Sequence, residues 1–170
     1  MKNRATATTT LKGSEQPAAR DAYLKALDLL ARRDHSRGEL KRKLSRRGFA
    51  EEELEDTLER LTSQGLLDDA RFAAAWVESS LRNGRGIGGK LLVDLQLKGV
   101  PPETARQAVA AAAVDHPAEA VLADIVGKRF AAFSNETATP KERQRVYGYL
   151  QRRGFSLSSI ISYFRNQNTE

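Results

Sequence analysis

One pattern returns three times along this chain and restricts its fold more than any other feature. Leu40-x-x-x-Leu44-x-x-x-Gly48-Phe49 is followed by Leu91-x-x-x-Leu95-x-x-x-Gly99-Val100 and then by Val146-x-x-x-Leu150-x-x-x-Gly154-Phe155. Two apolar residues four apart lie one turn above each other on a single helix face. The glycine that follows stands where a helix ends in a left-handed turn, a backbone conformation that costs residues with a Cβ. Apolar residues then resume at matching offsets, at Leu54 and Leu58, Ala105 and Val109, and Ile160 and Phe164. A further amphipathic segment precedes each block, over residues 18–32, 70–82 and 118–133. The expectation is an all-α chain of three tandem three-helix units. The units span 17–66, 67–115 and 116–170, behind a disordered tail at 1–16. Units of this size bury too little surface to be secure alone, so neighbours are expected to share apolar faces and stack into an elongated, slightly curved body.

Helix-start chemistry agrees with this division. Ser36 stands three residues before Glu39, and Thr139-Pro140-Lys141-Glu142 repeats that capping box with proline in the first helical position. Asp68 is a good N-cap for the helix carrying Phe72 and Trp76, and Val100-Pro101-Pro102-Glu103 opens another. No run of alternating β-branched residues is bounded by turn signals, so no strand is expected. The connectors 83–89, rich in glycine, and 134–139, rich in polar residues, are expected to be flexible points.

Charge narrows the function. The chain carries a net +6 and no cysteine, which excludes disulfides, thiolate metal sites and a cysteine nucleophile. No apolar run is long enough to span a bilayer and no secretory signal is evident, so a cytoplasmic location is expected. Eight basic residues lie between positions 32 and 47, opposed by Asp34 and Glu39 alone. With Leu40 and Leu44 inward, Arg42 and Arg46 point away from the core and Lys43 flanks them, a cationic stripe, with Arg37, Lys41 and Arg47 as further candidate contacts in the same run. Equivalent elements carry Arg82, Arg85, Lys90 and Lys98 in the middle unit, and Arg143, Arg145, Arg152 and Arg153 in the last. Such runs are either solvated helix faces or phosphate-binding surfaces, and recurrence in three units favours the second.

Residues 51–69 are instead acidic, with Arg60 their sole cation. Acids at a helix start suit the helix dipole, and a docking face for a basic protein patch is an equal alternative. Either way, the helix in the recognition position of the first unit would bring carboxylates toward phosphates, which speaks against a sequence-reading helix-turn-helix. Aromatics are too few to form a base-stacking platform.

Nothing in the sequence forms a convincing catalytic or cofactor site. Residues 84–90 nearly match a phosphate-binding loop, but Leu91 replaces the hydroxyl residue that would hold magnesium. His35 and His116 lack metal-ligand spacing, and Ser36 and Asp68 have capping roles. Trp76, at helical spacing from Phe72, is expected in the core.

Taken together, these residues resemble the RecX regulatory family. The most specific segment is Leu66-Leu67-Asp68-Asp69-Ala70-Arg71-Phe72-Ala73 with Trp76-Val77. It is supported by Ser36-x-x-Glu39-Leu40-x-x-x-Leu44-x-x-x-Gly48 and by Gly86 through Val100. The resemblance covers about residues 20–165 and is weaker in the third unit. It implies three tandem three-helix repeats that bind in the groove of the RecA–DNA filament. There such a protein blocks growth or promotes disassembly, lowering recombinase, ATPase and coprotease activity without cofactor or catalytic residue. It also implies that the basic positions 37–47 and 85–98 are contacts. A general DNA-binding competitor and a protein-only scaffold remain the alternatives.

Overall fold

The computed structural model describes residues 17–167, which form nine α-helices and contain no strand. The expected tail at 1–16 lies outside the described residues. In chain order the helices are α1 (Pro17–Leu30), α2 (Arg37–Ser45), α3 (Glu51–Ser63), α4 (Asp69–Arg82), α5 (Gly88–Leu97), α6 (Pro102–Asp115), α7 (Ala118–Arg129), α8 (Pro140–Arg152) and α9 (Leu157–Asn166). The all-α, three-by-three organisation follows from the repeat. The second helix of each unit stops at its glycine, and Gly48, Gly99 and Gly154 adopt φ of +89°, +84° and +95°.

The caps act as their chemistry dictates. The Asp68 carboxylate accepts from the Ala70 and Arg71 amides, and Thr139 with Glu142 completes a reciprocal capping box. Ser36 Oγ accepts from the Glu39 amide at 3.0 Å, but the Glu39 side chain turns to Arg33 instead of closing the box. The acidic stretch 51–69 divides between two helices, since α3 ends at Ser63 and a glycine turn at Gly65 hands Asp68 and Asp69 to the start of α4, where Asp68 is the expected cap. One boundary differs from expectation. Helix α7 stops at Arg129 rather than running to residue 133, with the Phe133 amide turning back onto the Phe130 carbonyl.

The cores are shared unevenly. Leu40, Leu44, Leu54, Leu58 and Leu61 close a core of the first unit with Ala26, Leu29 and Leu67. A second, continuous core runs from Phe72 in α4 to Phe164 in α9, so the middle and last units share apolar surface as expected. The first unit does not join that core. Its junction with the second is largely polar: Ser36 Oγ donates to the Lys98 carbonyl, Arg42 Nη2 donates to the Leu97 carbonyl at 3.1 Å, and the Arg37 amide donates to Asp69 Oδ1 at 2.7 Å.

Both junctions use one device. The start of α2 sits on the C-terminal end of α5, and the start of α5 sits on the C-terminal end of α8. At the second junction the Ile87 amide donates to the Arg153 carbonyl at 2.8 Å, and Arg153 Nε donates to the Gly84 carbonyl at 3.1 Å. The carbonyl-rich end of one helix thereby meets donors at the start of another, side chains at the first junction and a backbone amide at the second, satisfying groups that a helix leaves unpaired. The glycine-rich connector 83–87 is thus not a free hinge, because its backbone is pinned to the last unit.

Candidate polyanion-binding surface

Each unit's second helix presents outward the positions opposite its two buried apolar residues. These are Arg42 and Arg46 on α2, Val93 and Leu97 on α5, and Gly148 and Arg152 on α8, equivalent by the repeat. The structure separates cations that merely decorate this line of helices from cations that hold the fold.

Much of the basic stretch on α2 is already engaged. Arg37 pairs with Glu55 at 2.5 Å, and Lys41 pairs with both Glu51 and Glu55. The acidic face of α3 therefore answers the basic face of α2 within one unit, a role that neither reading of that face anticipated; Glu52, Asp56 and Glu59 remain outside those pairs. Lys43 lies 3.7 Å from Glu39, Arg47 donates to the Lys43 carbonyl, and Arg42 braces the first junction. Arg42, Arg46 and Arg47 are all exposed without carboxylate partners, and of these Arg46 alone makes no side-chain hydrogen bond either.

Glu39 is the electrostatic centre of the first unit. Burial opposes its ionisation, but the Arg33 hydrogen bond and the charges of Arg33, His35 and Lys43 overcome this and hold the carboxyl at about 2. His35, buried 3.3 Å from Glu39, is pushed down, first by burial and then by Arg33. This cluster ties the α1–α2 connector to α2 and is structural.

In the middle unit, Lys90 pairs with Asp94, and the Ile87 amide is spent on the junction, so residues 84–90 brace helices rather than cradle phosphate. Lys98 lies over the Trp76 ring at 5.4 Å, which places this half-buried tryptophan between the end of α5 and the core. Arg82 is 3.6 Å from Glu78, and Arg85 is exposed and unpaired.

The largest concentration of unpaired cations is on and beside α8. Among the described residues, Lys141, Arg143, Arg145 and Arg152 are exposed without carboxylate partners. The one acid on this helix, Glu142, is consumed by the Thr139 cap. At about 100° per residue, Lys141, Arg145, Gly148 and Arg152 form a single stripe opposite Val146 and Leu150. At the second junction Arg153 lies over the Tyr149 ring at 4.3 Å and Arg129 at 4.8 Å. Arg82, Lys128 and Gly84 share the same shallow cleft. Arg129 and Tyr149 were not legible in sequence, since only the early end of α7 brings Arg129 there. Val93 and Leu97 were also missed. They are 53% and 73% exposed, and the signal was available, because both fall off the face defined by Leu91 and Leu95.

This surface suits an extended anion. It has many exposed guanidinium groups and few aromatics free to stack, and the cleft beside it is open to solvent. No group of three or more histidines and carboxylates able to hold a metal occurs among those residues, and no helix is long and apolar enough to cross a membrane.

Comparison with known proteins agrees with the repeat. Residues 22–61, 68–109 and 118–164 match in order the first, second and third three-helix domains of RecX. The chain is 35% identical over 147 residues to the regulatory protein RecX of Syntrophotalea carbinolica, covering 86% of this chain and 96% of that protein. It is 37% identical over 154 residues to that of Trichlorobacter lovleyi, covering 91% and 99%. The crystal structure of RecX from Lactobacillus salivarius superposes with a TM-score of 0.72 at 18% identity, over 90% of this chain and 98% of that one, which shows the common fold. With all three family domains present in order and relatives matched over nearly their whole length, the chain belongs to the RecX family of regulatory proteins.

Proposed function

We propose that this protein regulates RecA by lying along the RecA–DNA filament, where it hinders filament growth or promotes disassembly and so lowers ATPase, recombinase and coprotease activity. It does so without cofactor or catalysis, as a bound body in the cytoplasm. Family membership supports the role in the RecA system. The observation that carries the binding mode is the unpaired cation set on α8 and at the second junction, beside an exposed apolar pair on α5. Arg152 and Arg85, with Lys141 and Arg145, meet phosphates, flanked by Arg82 and Arg153, which also hold Glu78 and the Gly84 carbonyl; Val93 and Leu97 meet protein. Of the other basic positions, Arg46, Arg47 and Lys43 extend the cationic line at the far end of α2, while Arg37, Lys41, Arg42, Lys90 and Lys98 act chiefly through the fold. Contacts of this kind are individually weak, and a rigid array sums them through effective concentration.

DNA-dependent ATP hydrolysis by preformed RecA filaments tests this reading, with the protein added well below one copy per RecA. A fall in rate that persists in excess single-stranded DNA supports filament regulation. A fall that excess DNA abolishes makes the protein a competitor for DNA, and no fall refutes the proposal.

A further inference from the structure

Helix α8 breaks two local rules on its solvent side, and nothing among the described residues compensates. Lys141 and Arg143 stand in its first turn, where the helix dipole disfavours cations. Gly148 lies in its interior, where glycine is disfavoured relative to alanine because it surrenders more backbone freedom on folding. The fold does not require that glycine. Its φ is not positive, and a Cβ there would meet only the mobile end of Arg152, with Nη1 at 3.3 Å. This contrasts with Gly99 and Gly154, where a Cβ would strike backbone of the preceding unit. The equivalent positions on α2 and α5 carry Arg42 and Val93. Gly127, also inside a helix, lies in the last turn of α7 beside the Asp124–Lys128 pair and outside any unpaired stripe. Local rules broken without internal benefit mark a surface shaped for a ligand.

The stripe supplies the ligand's chemistry. Lys141, Arg145 and Arg152 flank Gly148 along one face, and no carboxylate on that face is free. We infer that Gly148 is a seat for the phosphodiester backbone of a nucleic-acid strand. The missing side chain lets a phosphate approach the helix surface while Arg145 and Arg152 close on it from either side. The inference rests on the nucleoprotein reading above and assigns the nucleic-acid share of that contact to α8. A methyl group at 148 would hold the phosphate away from the helix and lengthen its distance to the cations on both sides.

The test uses full-length Gly148→Ala and Gly148→Gln variants, thermal unfolding, and fluorescence anisotropy with a labelled oligothymidylate. Gly148→Ala should raise the melting temperature by about 2–4 °C, while weakening oligonucleotide binding about fivefold, and Gly148→Gln should weaken it further. Tighter or unchanged binding in both variants overturns the inference, as does a lower melting temperature for Gly148→Ala, which would make the glycine a requirement of the fold. Unchanged oligonucleotide binding with loss of RecA inhibition also overturns it and gives the face to protein. Glycine-dependent oligonucleotide binding in a protein that never inhibits RecA would sustain the inference and sink the filament reading.

Discussion

The head-to-tail junction between the first two units can be measured by comparing one substitution at two equivalent glycines. Gly48 and Gly99 both end second helices in left-handed turns of nearly equal φ, +89° and +84°. A Cβ on Gly48 would meet nothing within 4 Å. A Cβ on Gly99 would lie 2.8 Å from the Gly38 Cα and 2.7 Å from Arg42 Nη1. Gly48→Ala therefore incurs the conformational cost alone, about 1 kcal/mol once the gain from a stiffer unfolded chain is subtracted. Gly99→Ala incurs the same cost and must also push the α2 and α5 backbones apart, which adds about 1–3 kcal/mol. If the junction opens rather than straining, the Ser36 and Arg42 bonds to the Lys98 and Leu97 carbonyls are lost, at about 1 kcal/mol each. Both routes place Gly99→Ala about 2–4 kcal/mol below wild type. Urea unfolding followed by circular dichroism gives the two differences, and small-angle scattering tells strain from opening through the radius of gyration. Equal destabilisation of the two variants, with unchanged scattering, would refute the packing of α2 on α5 described above.

Three further outcomes follow from the same geometry. Arg152→Gln should lower the salt-dependence slope of polyanion binding by about 1, whereas Lys41→Gln should leave it unchanged because Lys41 is held by Glu51 and Glu55; identical slopes for the two variants would remove the distinction between paired and unpaired cations. Because the folded state holds Glu39 near 2, below its ordinary value of 4.5, its contribution is full above that ordinary value and disappears as pH falls toward 2. Wild type should therefore lose about 1–2 kcal/mol more than Glu39→Gln across that window, allowing for the half-exposed Arg33, and parallel pH curves in urea unfolding would exclude this. Asp68→Ala removes a cap that serves two amides of α4 and should cost about 1 kcal/mol, with Asp68→Asn recovering most of it in the same assay.

Sequence by itself determined the number and kind of elements. Leucine spacing, three glycines and the cap residues are local signals, decided within a turn or two of helix, and the same local segments carried the family resemblance. Net charge likewise pointed to a polyanion without any coordinates. Which cations are free was decided only by tertiary structure, because pairing depends on what faces a side chain across a helix interface. Arg37 and Lys41 counted among the candidate contacts until α3 folded against them, while Arg145 and Arg152 stand without carboxylate partners. The isolation of the first core, the pinning of the 83–87 connector and the arrival of Arg129 over Tyr149 are likewise long-range events, fixed by how helix ends meet. A periodic sequence specifies the face a helix buries; the partner that covers that face, and the charge left uncovered on the other side, depend on residues on other helices, from 10 to 69 positions away.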